Sequence, residues 1–204
     1  MHHAIESLER EHRTIEKIVV VMSVLVDELT ENRKVDDDTL RDLCRFLRIY
    51  SNQCHHGKEE SCLFPALETR GVPEEGCPLG ALRHEHERSR ALTQSLVEAT
   101  TRYSVDPYSG RQALTEVLRE LTGFYPAHIW KEEYLLFPLA EKVLSAGDQE
   151  RLLKEFAEVE SGIYTHAHES YEQLADDLEG RVLKASPKMK SVSLRVASRP
   201  CLGT

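Results

Sequence analysis

Two copies of one short motif each place an imidazole beside a carboxylate. The motif reads HHGKEESCLFP at residues 55–65 and HIWKEEYLLFP at residues 128–138. The second copy lies 73 residues after the first, which pairs His55 with His128 and Glu59 with Glu132. Positions i and i+4 lie on the same face of an α-helix. Imidazole together with carboxylate suits iron, zinc or manganese, and a glutamate can bridge two metal ions. A chain that makes this unit twice therefore predicts one shared metal site.

Apolar residues spaced by three and four predict four amphipathic helices to carry these motifs. Their approximate ranges are 5–32, 39–63, 79–103 and 114–139. Asp38 is a candidate N-cap of the second helix, and residues 70–78 and 104–110 are predicted breaks. Pro65 is expected to break or kink its helix, and Pro126 and Pro138 to kink theirs.

A second repeat shows how the helices pair. The pattern Leu-x-x-Glu-His occurs at 8–12 in the first predicted helix and at 82–86 in the third, 74 residues apart. Two repeated helical hairpins predict an all-α, up-down four-helix bundle. A further helical stretch at about 148–179 is predicted, with an interruption at Gly162 and Thr165 as a restart cap. We predict one domain over residues 1–180 and a basic C-terminal tail at 181–204.

Six residues stand out as candidate metal ligands because they lie on the core-facing stripes of the four helices. A single histidine on such a stripe usually packs in the core, but buried glutamates are rare unless paired or coordinating. The candidate set is His12, His55, Glu59, His86, His128 and Glu132. His84 is expected on the opposite side of its helix, and His56, Glu60 and Glu133 one step round toward solvent or the bundle seam. His84 and His56 remain fallback ligands.

Charge and composition limit the classes of partner. The net charge is −9, and residues 181–204 carry six basic residues and no acidic one, so the preceding residues carry −15. Such an acidic body should repel nucleic acid and anionic lipid. The basic tail is expected to contact its own domain or a sister subunit, as in a homo-oligomer, with a partner protein or polyanion as the alternative. No secretory signal or membrane-spanning run is visible, so we expect a cytoplasmic protein with reduced thiols.

The two doubled motifs together resemble the hemerythrin-like family of HHE cation-binding domains. The resemblance covers roughly residues 4–145. It implies a four-helix bundle enclosing two non-haem irons with an oxo or hydroxo bridge, and zinc or manganese are alternatives. Carried onto this chain, Glu59 and Glu132 would bridge the metals. The terminal ligands would be His12, His55, His86 and His128.

The chain departs from hemerythrins proper at the fifth histidine. The position one turn from His86 holds Arg90. His168, flanked by Tyr164 and Tyr171, is the predicted replacement, and His166 is the alternative. Tyr125 precedes His128 by three residues and is expected either to pack in the core or to support the ligands as a redox-active phenol.

Three functional hypotheses follow from such a site. The first is a protein that binds O2, NO or peroxide for sensing, transport or detoxification. The second is an enzyme with catalase-like or NO-reducing turnover. The third is a zinc or iron module that handles metal or stabilises the bundle.

Overall fold

All regular secondary structure in the described residues is helical. The computed structural model describes residues 4–163 and 167–185, without the side chains of residue 163 and residues 167–169. The helices are α1 (Ala4–Thr30), α2 (37–69), α3 (Leu79–Val105), α4 (107–143), α5 (Ala146–Ile163) and α6 (Ala167–Ala185). Helices α1–α4 form the four-helix bundle, so the predicted all-α fold class is confirmed. None of the described helices combines the length and apolar character needed to cross a bilayer.

Helices α2 and α4 each contain π-helical turns where the motifs lie. These turns are Leu47–His55 and Glu59–Leu63 in α2 and Glu132–Leu136 in α4. The N–H of Phe64 donates to the carbonyl of Glu59, and the N–H of Phe137 to that of Glu132, five residues back in both cases. Such π-turns are frequent at functional sites.

The predicted break at Pro65 does not occur, and neither Pro65 nor Pro138 ends its helix. Helix α2 continues past Pro65 to residue 69, and α4 past Pro138 to residue 143. Each proline lies in the first turn after a π-turn. The wider turn moves away the preceding carbonyl that a proline ring would otherwise meet. Helix α4 also runs through Pro126 without a break.

Two helix boundaries differ from those predicted. The N-cap of α2 is Asp36 rather than Asp38, because its side chain accepts a hydrogen bond from the N–H of Thr39 at 2.9 Å. The predicted break at 104–110 is reduced to one residue between α3 and α4, Asp106. Gly110 makes this tight hairpin possible, since a Cβ there would lie 2.5 Å from the Cα of Tyr103.

The bundle interior has two apolar clusters with a polar layer between them. One cluster contains Ile15, Leu47 and Leu92, and the other contains Leu8 and Leu63. The candidate ligands lie in sequence between residues of the two clusters on each of the four helices. The layer is therefore held inside an apolar interior that excludes water.

Helices α5 and α6 cover the bundle on the side of α1 and α2. The predicted helical stretch at 148–179 is thus two helices, and α6 runs to Ala185, beyond the predicted domain boundary at 180. Thr165 and residues 186–204, most of the predicted tail, lie outside the described residues.

Candidate metal centre

The six stripe residues meet at one place in the bundle, and all are at most 1% exposed. They are His12 from α1, His55 and Glu59 from α2, His86 from α3, and His128 and Glu132 from α4. The structure forms two groups whose potential ligand atoms lie within 4.8 Å of one another. One group is His12, His55, Glu59 and Glu132, and the other is His56, His86 and His128.

The two carboxylates lie between the two groups of imidazoles. Glu132 Oε2 is 3.1 Å from His12 Nε2, and its Oε1 is 3.1 Å from His128 Nε2. Glu59 Oε2 is 3.3 Å from His86 Nε2 and 3.9 Å from His55 Nε2. Each glutamate thus faces at least one imidazole from each group. This is the placement that bridging carboxylates require.

Each of the four predicted histidine ligands is hydrogen-bonded, at the ring nitrogen that faces away from the centre, to a carboxylate on a neighbouring helix of the bundle. We call Glu11, Glu60, Glu85 and Glu133 the carboxylate belt. The Nδ1–H groups donate as follows: His55 (α2) to Glu11 (α1) at 2.9 Å, His86 (α3) to Glu60 (α2) at 2.8 Å, His128 (α4) to Glu85 (α3) at 3.0 Å, and His12 (α1) to Glu133 (α4) at 3.2 Å. The belt therefore closes round all four helices. A proton fixed on Nδ1 leaves the Nε2 lone pair facing the centre, as a metal ligand requires.

A basic side chain pairs with each carboxylate of the belt on its outer side. The pairs are Lys58 with Glu11, Arg90 with Glu60, Lys131 with Glu85 and Arg13 with Glu133. Sequence reasoning missed the belt and expected Glu60 and Glu133 to face solvent or the seam. The available signal was the repeat itself, because Glu11 recurs as Glu85, Lys58 as Lys131 and Glu60 as Glu133.

The phenylalanines of the Leu-Phe-Pro segments also support the imidazoles. The ring of Phe137 stacks on His12 with centroids 5.4 Å apart, and Phe64 stacks on His86 at 5.7 Å. In each hairpin, the phenylalanine of the Leu-Phe-Pro segment thus packs on the lone histidine of the other hairpin.

The expectation that His56 faces solvent or the seam is wrong. Its side chain is fully buried and stacks on His86, with ring centroids 4.0 Å apart. Successive residues of a π-helix turn through a smaller angle than in an α-helix, so His55 and His56 both face inward after the π-turn at Leu47–His55. By contrast, the side chain of His84 is 83% exposed and lies outside both groups.

His168, the predicted completing ligand, belongs to α6, but its side chain lies outside the described part of the structure, and His166 lies outside the described residues altogether. Tyr125 is fully buried, and its hydroxyl is hydrogen-bonded to Ser51 Oγ at 2.9 Å and Ser89 Oγ at 3.2 Å. Burial raises the pKa of this phenol, so it remains protonated. Tyr125 lies one helical turn before His128, and its hydroxyl is hydrogen-bonded to the two serines and not to a candidate ligand.

The electrostatics of the centre favour positive charge. Burial lowers the pKa of His12, but hydrogen bonds to Glu132 and Glu133 outweigh this effect and raise the pKa to about 10. Burial would raise the pKa of Glu132, yet the charge on His128 and hydrogen bonds from three imidazoles hold it well below its usual range. Protons on the imidazoles thus balance the buried carboxylates, and metal cations would take over that role on displacing them.

The donor set fits metal cations. His12 Nε2 and His55 Nε2 face each other at 3.1 Å, a spacing that suits two ligands of one cation. Among the described residues, Glu59 Oε1 and both ring nitrogens of His56 are buried without a hydrogen-bond partner. Buried polar atoms are normally paired, so these atoms point to a ligand.

Fold and site together define a helical-bundle protein with a buried histidine and carboxylate centre suited to cations. Residues 3–140 match the hemerythrin HHE cation binding domain family. This match covers more than half of the chain, so the protein belongs to that family, as the motifs predicted.

The chain is also similar to uncharacterized proteins from Mycobacterium bovis and Mycobacterium tuberculosis. Each is 25% identical over 155 residues, which are 76% of this chain and 60% of the relative. The chain therefore spans less than two thirds of the curated relatives it matches. No solved structure matches the chain significantly.

Proposed function

We propose that the centre holds two iron ions and that the protein binds O2, NO or peroxide there for sensing, transport or detoxification. The observation that carries this proposal is that Glu59 and Glu132 each face imidazoles of both groups. Iron bound by nitrogen and carboxylate supplies reversible electron transfer and a position open to a small molecule. Zinc or manganese are the alternative metals.

The protein's own groups prepare this site in three ways. The carboxylate belt fixes the orientation of the four imidazoles. The apolar clusters on either side exclude water and so strengthen electrostatic interactions within the layer. The hydrogen bonds between the Tyr125 hydroxyl and two serines fix the position of a phenol one helical turn before His128.

The position of Tyr125 favours binding over turnover. An enzyme that reduces peroxide or NO needs a positioned proton donor. The Tyr125 hydroxyl bonds to Ser51 and Ser89 and to none of the six candidate ligands. We therefore place catalase-like or NO-reducing turnover second, and zinc-based metal handling third.

Metal analysis of anaerobically purified protein, combined with an optical spectrum, tests the proposal. We expect about two irons per chain, and near-ultraviolet bands of the oxidised protein that change with azide or peroxide. Glu59→Ala should lose half of the metal or more, whereas His84→Ala, at an exposed site, should keep all of it. A colourless zinc protein would refute the iron proposal. Rapid oxygen release from added peroxide would select the enzyme instead.

A further inference from the structure

His56 is the one imidazole of the centre that sequence spacing did not select. Its ring is parallel to that of His86 to within 7° and meets the ring of His128 edge-on at 5.2 Å. Its potential ligand atom lies within 4.8 Å of those of His86 and His128. The side chain is fully buried.

Both nitrogens of His56 lack a hydrogen-bond partner within residues 4–163 and 167–185. The other four imidazoles of the centre differ in this respect, because each donates its Nδ1–H to the carboxylate belt. A buried donor or acceptor without a partner is costly and therefore rare.

The repeat shows that packing alone does not call for an imidazole here. The equivalent position in the second hairpin is Ile129, which is 4% exposed and lies in an apolar cluster. An aliphatic side chain thus satisfies the same position of the fold. The histidine in the first hairpin supplies a nitrogen donor that its counterpart lacks.

On the basis of the proposed function, we infer that His56 is a fifth nitrogen ligand, bound to the same ion as His86 and His128. The two ions of the centre would then be unequal. Three imidazoles would hold one ion, and His12 and His55 would hold the other, with Glu59 and Glu132 between them.

The test counts ligating imidazoles in the full-length diferrous protein by NMR. Paramagnetic iron shifts the exchangeable N–H proton of each histidine that it binds, and labelling histidine with 15N identifies those protons. We expect five shifted signals in the unmodified protein and four in His56→Ile. This substitution places at position 56 the side chain that the second hairpin has at the equivalent position, Ile129. It should also speed iron loss to a chelator by about tenfold or more.

Ile129→Val is the matched control, because it alters the equivalent buried position without changing a donor, and it should retain five signals. His56→Gln offers a second variant of similar polarity if His56→Ile does not fold. Four signals in the unmodified protein carrying two irons would overturn the role of His56 and leave the proposed function intact. Protein that binds no iron would instead refute the proposed function.

Discussion

Glu132→Gln removes one negative charge from the centre while preserving the shape of the side chain. The carboxylate faces His12 Nε2 and His128 Nε2, each at 3.1 Å, and His86 Nε2 at 3.4 Å. All of these groups are buried, so solvent cannot replace the lost partner. An amide in this position cannot balance protonated imidazoles, and it is a poor bridge between metal ions.

The expected loss of stability follows from the burial of the charges. Removing one partner of a buried ion pair costs about 3–5 kcal/mol. For a chain of this size, this corresponds to a decrease in Tm of about 6–20 °C. The substitution should also weaken metal binding, because a bridging ligand is shared by both ions. We expect loss of about half of the bound metal or more.

Circular dichroism melts in chelator and metal analysis after loading would measure the two effects. Glu133→Gln is a matched control one residue away, because Glu133 contacts His12 at Nδ1 and not at the Nε2 that faces the centre. It should retain full metal stoichiometry. A full metal complement and an unchanged Tm in Glu132→Gln would refute the assignment of Glu132 as a shared ligand.

Three further predictions concern pH, the belt and the helix packing. In chelator, protonated His12, whose pKa is raised to about 10, stabilises the fold fully below about pH 6.5, and this contribution is lost as the pH rises through 10. Ionised Glu132, whose pKa is lowered, stabilises the fold fully above about pH 4.5, and this contribution is lost at lower pH. The Tm should therefore peak between about pH 5 and 6.5, and a flat profile in melts from pH 4 to 10 would contradict this. Glu85→Gln should weaken metal affinity about 10–100-fold in chelator competition without changing stoichiometry; unchanged affinity would show that the belt does not act on the metals. In urea unfolding, Gly110→Ala should lower the free energy of unfolding by about 1–3 kcal/mol, because its Cβ would lie 2.5 Å from the backbone of Tyr103. Gly123→Ala, whose Cβ would meet nothing within 4 Å, should raise it by about 0.5–1 kcal/mol. Equal effects of the two substitutions would argue against the close approach of α3 and α4.

The sequence predicted the bundle because its apolar periodicity and its two repeats agree. The six candidate ligands lie on those stripes, and a side chain on a regular helix can be placed from its number alone. Family membership rested on the same residues and is confirmed. The metal itself remains a proposal.

The features that the sequence did not predict depend on local winding and on contacts between helices. His56 was misplaced because a π-turn changes the angle between consecutive residues, and no periodicity rule anticipates that turn. The belt was missed because Glu60 reaches His86 across a helix interface, and spacing within one helix carries no information on such a contact. The role of Gly110 likewise depends on how closely α3 approaches α4.

The closed carboxylate belt links the bundle surface to its interior. Three of its outer cations reach solvent, since the side chains of Arg13, Arg90 and Lys131 are 49%, 43% and 38% exposed, whereas Lys58 is sealed beneath α5. Salt, a modification or a bound protein that moves one of these basic side chains away would weaken its ion pair with a belt carboxylate. The basicity of the attached imidazole would change in response. A change at the surface would thus alter the metal-binding imidazoles without contacting them, through Arg13 on α1, Arg90 on α3 or Lys131 on α4.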